Sequence, residues 1–136
     1  MFAEIASISE QRMSTQWNLI HSDIRVIYDN TGEKAQTGET YLKFEILDNE
    51  TDRKSIGITN RLYREFGFLN INVFVEKGTG TRYARGLADD VATIFRDVYV
   101  SGIWYRSPFI KRIGESNQGE FFQYNVSVPF QADFYI

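Results

Sequence analysis

Three short constellations in this 136-residue chain carry residue types that chemistry needs, and each falls short of a working set. Gly78-Thr79-Gly80 stands between an alternating apolar stretch and an amphipathic one, a place where backbone N–H groups at a helix N-terminus attract anions. A phosphate-binding loop of the Gly-x4-Gly-Lys-Ser/Thr type needs a lysine after its last glycine, where this chain has Thr81. A dinucleotide fingerprint needs a third glycine at position 83, which is Tyr83. His21 is the only histidine, so a metal site or an acid/base relay would rest on one imidazole beside Asp23, with two or three ligands missing. Asp89 and Asp90 are adjacent on a helical stretch and diverge by about 100°, which prevents them from sharing a proton or a metal. The chain lacks cysteine and a Gly-x-Ser-x-Gly elbow, so thiol nucleophiles and the usual serine arrangement are excluded. No enzyme activity, metal or cofactor is expected. Phosphate or nucleotide handling at the Gly78–Gly80 turn stays open as the alternative.

Composition narrows the partners. Net charge is −3 with 15 Lys and Arg against 18 Asp and Glu, the wrong balance for gripping nucleic acid chiefly by phosphate neutralisation. The basic groups worth noting are pairs, Arg53-Lys54, Arg61 with Arg64, and Lys111-Arg112, which read as solvated faces. No stretch approaches the roughly 18 apolar residues that span a bilayer, and residues 1–14 have no continuous apolar run of the signal-peptide kind. A protein folded in the cytoplasm is expected. Aromatic residues make up 15% of the chain, which suits pleated surfaces and subunit contacts. No linker or repeat divides the sequence, so residues 1–136 are expected to form one domain.

The elements that position these residues follow from periodicity. Phe2, Ile5, Ile8, Arg12 and Met13 predict a short helix over 2 to about 15. Asp23–Tyr28 and Thr40–Leu47 predict strands, the second with Leu42, Phe44 and Ile46 alternating with Lys43 and Glu45. Between them lies a long polar loop, Asp29–Gly38. A second polar excursion, Asn49–Thr59 with Ile56-Gly57-Ile58 inside it, reads as a hairpin turn whose far arm runs from Leu62 to Val75. There Leu69, Ile71, Val73 and Val75 form the core face. Phe68, Asn70, Asn72 and Phe74 form the other face, a mixture of aromatics and amides that fits a subunit interface. Gly78, Thr79, Gly80 and Thr81 make a structural turn, with Thr79 or Thr81 as helix cap. Ala84, Leu87, Ala88, Val91, Phe95 and Val98 make the stripe of a helix over about 81–98. A strand at Ile103–Arg106 would complete a βαβ unit with the strand before the helix. Strands at Phe109–Ile113 and Phe121–Phe130, joined by a turn through Gly114–Gly119, end the chain. Pro129 lacks an N–H and predicts an edge strand or a strand end. The fold class expected is α+β, a mixed, mostly antiparallel sheet with the two helices packed on it.

The stretch from Asn70 to Phe95, a strand ending in Glu76-Lys77, then Gly-Thr-Gly, then an Ala-rich helix closing on Phe95, resembles the central signature of the tail terminator-like family of long-tailed bacteriophages. Trp17 beyond the first helix, the strand at Tyr41–Leu47 and the ending Tyr124-Asn-Val-Ser-Val-Pro-Phe130 lie where that family has comparable elements, so most of the chain is covered. The resemblance implies a virion protein without cofactor that assembles as a homohexameric ring on the tail tube protein. Such a ring stops tube growth at the head-proximal end and offers a surface to the head-tail connector protein, while genomic DNA passes its lumen without specific binding. A connector or neck completion protein is the neighbouring alternative. Ring closure needs two different patches on each subunit. The candidates are the Phe68, Asn70, Asn72, Phe74 face and the aromatic C-terminus with Phe130, Phe134 and Tyr135; intramolecular core is the competing reading for both.

Overall fold

The computed structural model describes residues 2–36, 38–53, 61–116 and 120–135. Helix α1, Phe2–Ile20, is followed by strands β1, Arg25–Tyr28, β2, Tyr41–Arg53, and β3, Leu62–Glu76. Helix α2, Thr81–Phe95, leads to β4, Tyr99–Val100, β5, Ile103–Tyr105, β6, Phe109–Ser116, and β7, Phe121–Tyr135. The strands form one sheet in the order β1-β2-β3-β7-β5-β4, with β6 also on β7. Among the described residues only β1 and β2 pair in parallel; the other pairs are antiparallel. Both helices lie on one face, and the fold is the α+β class expected.

α1 continues past the expected residue 15 because its buried row has a strict spacing of four. Ile5, Ser9, Met13 and Trp17 are all buried. Ser9 fits that row because its hydroxyl meets Tyr105 Oη at 2.7 Å, and Trp17 donates Nε1–H to the Ile24 carbonyl at 3.0 Å. α2 buries Ala84, Leu87, Ala88, Val91 and Phe95, the predicted stripe. It stops at Phe95 and not at 98, since Arg96 is extended and Asp97 takes φ 51°. Val98 still packs on the core from beyond the helix. Neither threonine caps α2: Gly80 holds the cap position with no side-chain hydrogen bond, and Thr79 Oγ1 instead donates to the Glu76 carbonyl at 2.8 Å. The helices are tied at both ends of their contact. Arg12 Nε donates to the Ile94 carbonyl at 2.9 Å, where a helix C-terminus has carbonyls to satisfy and favours a cation. His21 Nε2 meets Asp90 Oδ2 at 2.6 Å.

β7 is the organising strand. It runs against the whole of β3, from Leu62↔Tyr135 to Glu76↔Phe121. No edge of β3 is left for the expected parallel neighbour, and β5 pairs with β7 instead. The βαβ expectation therefore fails in its pairing, although β5 runs in the same direction as β3, one strand removed. β5 and β6 follow one another along the far edge of β7 and are parted at Arg106-Ser107-Pro108, where Pro108 has no N–H to give. That gap also explains Pro129, which sits in a central strand and not at the edge its chemistry favours. Its carbonyl accepts from Arg106 N at 2.8 Å, so its missing donor faces the same gap, where no ladder bond is lost.

The core lies between sheet and helices. Leu42, Phe44, Leu69, Ile71, Val73 and Val75 enter it from β2 and β3, Tyr124, Val126, Val128 and Phe130 from β7, and Ala84, Leu87, Ala88, Val91 and Phe95 from α2. Phe95 stands 6.4 Å from Phe44 and 5.1 Å from Tyr105 between ring centroids. Phe130 spreads over Gly67, its cross-strand partner. A Cβ at Gly67 would stand 2.6 Å from the Phe130 ring and 2.7 Å from the Leu47 carbonyl oxygen, so the space taken by the ring requires glycine. The turn through Ile56-Gly57-Ile58 and the tip of the Gly114–Gly119 turn lie outside the described residues. The hairpin that the first of these predicts is present in its arms, β2 and β3.

Candidate functional site

The sheet face opposite the helices is built in rows, because directly opposed residues of paired strands point to the same side. One row is Tyr41, Phe74 and Gln123; the next is Lys43, Asn72, Asn125 and Lys111; then come Glu45, Asn70, Ser127 and Phe109, and finally Leu47, Phe68 and Pro129. Alternation in each strand delivers these residues to one face, and register brings them together.

The first row is closed by the chain itself. Tyr41 stacks on Phe74 at 4.7 Å and meets Phe121 edge-on at 5.5 Å, and Ile27 and Ala35 complete this small buried cluster. Ala35 belongs to the stretch 29–36, which packs against this end of the face. Arg25 holds that stretch, donating to Glu39 at 3.0 and 2.8 Å and to the Lys34 carbonyl at 2.8 Å. The hydrogen bond from Arg25 keeps the Glu39 carboxyl below its ordinary range. Phe74 is thus an intramolecular contact, one of the two readings the sequence left open for it.

The middle rows form a ladder of amides. Asn70 donates to Glu45 at 2.6 Å; Asn125 donates to Asn70 at 2.6 Å and to Asn72 at 2.9 Å; Gln123 donates to Asn72 at 2.8 Å. Ser127 donates to Asn125 at 3.2 Å. The side-chain amides spend their hydrogen bonds on one another across three strands. Covering such a surface therefore costs little desolvation, because few partners are lost to water.

Beyond the ladder the face becomes apolar and open. Leu47 is 49% exposed and Phe68 38%, side by side across β2 and β3, with Pro129 next in line. Phe109 on β6 is 63% exposed. Trp104, also exposed, carries the Arg106 guanidinium 4.1 Å above its ring. Of the C-terminal candidates, Phe130 points into the core, Phe134 stacks on Tyr63 at 5.8 Å, and Tyr135 is exposed. The predicted candidates are therefore spread over both faces. Phe68, Asn70 and Asn72 share the open face; Phe130 and Phe134 are on the helix side. Lys43, Glu45, Leu47, Asn125 and Phe109 are the neighbours that sequence reasoning missed. Their polar alternation in β2 and β7 was legible, but the register that lines them up with Asn70 and Asn72 was not.

The remaining predicted residues fall elsewhere. The turn has Gly78 at φ 92° and Gly80 at φ 84°, which glycine adopts without strain, and open space stands where a Cβ would be at either. Of the two arginines that follow, Arg82 is exposed and Arg85 donates to Tyr124 Oη at 3.1 Å. His21 does not face Asp23 but pairs with Asp90 and packs 4.5 Å from Trp17. Among the described residues no group of three or more His, Asp or Glu is placed to hold a metal ion, and no helix is long and apolar enough to cross a membrane.

Comparison with known proteins agrees with this architecture. One solved protein chain shares the fold over 100% of this chain and 98% of its own, with a TM-score of 0.73 at 18% identity. A chain from the virion of a native gene transfer agent particle matches over 93% of this chain and 91% of its own, with a TM-score of 0.52 at 14% identity. Likeness at such identities speaks for the fold alone. No curated protein matches the sequence. The profile of the phage tail terminator protein family matches residues 4–100, more than half of the 136. The chain belongs to the phage tail terminator protein family and is a structural protein of the bacteriophage tail.

Proposed function

We propose that residues 1–136 act as one unit that closes into a homohexameric ring on the head-proximal end of the tail tube, stops tube polymerisation and offers the surface to which the head-tail connector protein attaches. Membership of the terminator family over residues 4–100 carries this reading. The physical character of the open face supports it. A self-satisfied amide ladder flanked by Leu47, Phe68 and Phe109 is a surface that protein can cover without stranding polar groups, as interface cores require. The protein works without cofactor or catalysis, after folding in the host cytoplasm. An acidic chain, net −3, also suits a lumen that genomic DNA crosses without adhering.

Polymerising purified tail tube protein in the presence of this chain tests the reading. Tubes are expected to stop at shorter, narrower length distributions in proportion to added protein. Leu47→Glu with Phe68→Glu is expected to remove that effect while leaving the fold intact, since both side chains are exposed. Unaltered tube growth, with the protein binding connector-bearing heads instead, would overturn the terminator role in favour of a neck protein.

A further inference from the structure

The sheet ends differently on its two sides, and the two ends complement each other. β1 covers only the first four residues of β2, from Arg25↔Tyr41 to Tyr28↔Phe44. Beyond Phe44 the outer edge of β2 has no strand beside it among the described residues. That edge lines a groove of about 350 Å3, walled by Ala3, Ala6 and Glu10 of α1, by Asp29 just past β1, and by Glu45 and Asp48 of β2. Four of these are carboxylates; Glu45 accepts a hydrogen bond from Asn70, and none of the ion pairs among the described residues engages Glu10, Asp29 or Asp48. The alanines keep the helix wall low enough for an incoming backbone.

The far side is the reverse. Among the described residues β6 pairs with β7 along one edge only, and its side chains are not those of a protected edge. Phe109, Ile110 and Ile113 are 63%, 40% and 44% exposed, and Lys111 and Arg112 between them are exposed as well. A lysine alone blunts an edge against pairing; three apolar neighbours work against it. The lengths also agree, since β6 has 8 residues and the uncovered part of β2 is 45–53.

We propose that the edge of β6 in one copy of this chain adds beside residues 45–53 of β2 in the next copy, in the line that β1 leaves, with Lys111 and Arg112 meeting the carboxylates of the groove. The contact joins two different patches, the heterologous kind that closes rings, and main-chain pairing supplies its affinity while charge sets register and partner choice. It rests on the ring reading above and names the surfaces that such a ring uses.

The chain has no cysteine, which allows a clean test. Asp48→Cys is combined in turn with cysteine at 110, 111, 112 and 113, and the proteins are oxidised with and without tail tubes. Within one copy these positions are separated by three strand spacings, about 14 Å, beyond the ~6.8 Å that a disulfide bridges. The expected result is a covalent ladder up to six copies at one or two adjacent positions, with single-cysteine variants giving dimers at most. Charge exchange gives an independent readout. Lys111→Glu with Arg112→Glu, and separately Glu10→Lys with Asp48→Lys, are each expected to weaken self-association at least about tenfold. An equal mixture of the two variants is expected to restore it by alternation, which a misfolded variant cannot do. Six-fold rings without a ladder at any position overturn this interface and leave the ring standing; neither rings nor ladder overturns both. A ladder without tube arrest keeps the interface and refutes the terminator role. Cross-linking of the cysteine at 111 to a different virion protein overturns the choice of occupant.

Discussion

Glu65 is the residue whose chemistry is most out of keeping with its place. It is 1% exposed, on the helix side of the sheet, opposite Ala132, and its Oε2 has no hydrogen-bond partner. Burial pushes its carboxyl up from the ordinary range, and the neighbouring Asp48 charge adds to the rise, against a hydrogen bond with Thr51. The folded protein thus holds this proton more tightly than the unfolded chain does. The stability it contributes is present below the ordinary carboxylate range and is lost as pH rises through the raised value. Glu65→Gln, which removes the charge and keeps the shape, is expected to be more stable than the natural protein by about 1 kcal/mol at pH 7. That gain should shrink toward pH 4 in chemical denaturation. A gain that persists unchanged at low pH would mean that the carboxyl is not the cause.

At the scale of elements, the helix stripe and the β7 alternation were the legible parts, because each repeats one period over many turns or residues. Phe95 sits at the centre of that agreement, against Phe44 and Tyr105. Phe95→Ala is expected to lower stability by about 3–5 kcal/mol, and a loss below ~1 kcal/mol would remove α2 from the core. The end of α1 was not legible, since Ser14-Thr15-Gln16 reads as a polar stop while Trp17 resumes the buried row one turn later. Pro129 misled because its fitness depends on a gap in the neighbouring strand that only the assembled sheet creates. The candidate site was half legible for the same reason: alternation tells which residues share a face, and nothing local tells what covers them. Ala35 packs against the cluster that holds Phe74, and Arg25 ties its stretch through the Lys34 carbonyl. Arg25→Ala should therefore speed amide hydrogen exchange across 29–39 while leaving β3 and β7 protected. Equal acceleration everywhere would mean global loosening instead.

For the whole molecule, the family places the chain in the phage tail, and the sheet offers what an assembling subunit needs. One face is buried under two helices, the other is open with its amides already paired, and among the described residues the uncovered edge of β2 is acidic and the outer edge of β6 basic. Such a subunit has directional contacts to make and no catalytic constellation among its described residues. What occupies the end of a tail tube is the decisive observation. Negative-stain averages of tubes assembled with the protein are predicted to show a six-fold ring of it at one end only. Tubes with bare ends, or protein scattered along their walls, would contradict the account.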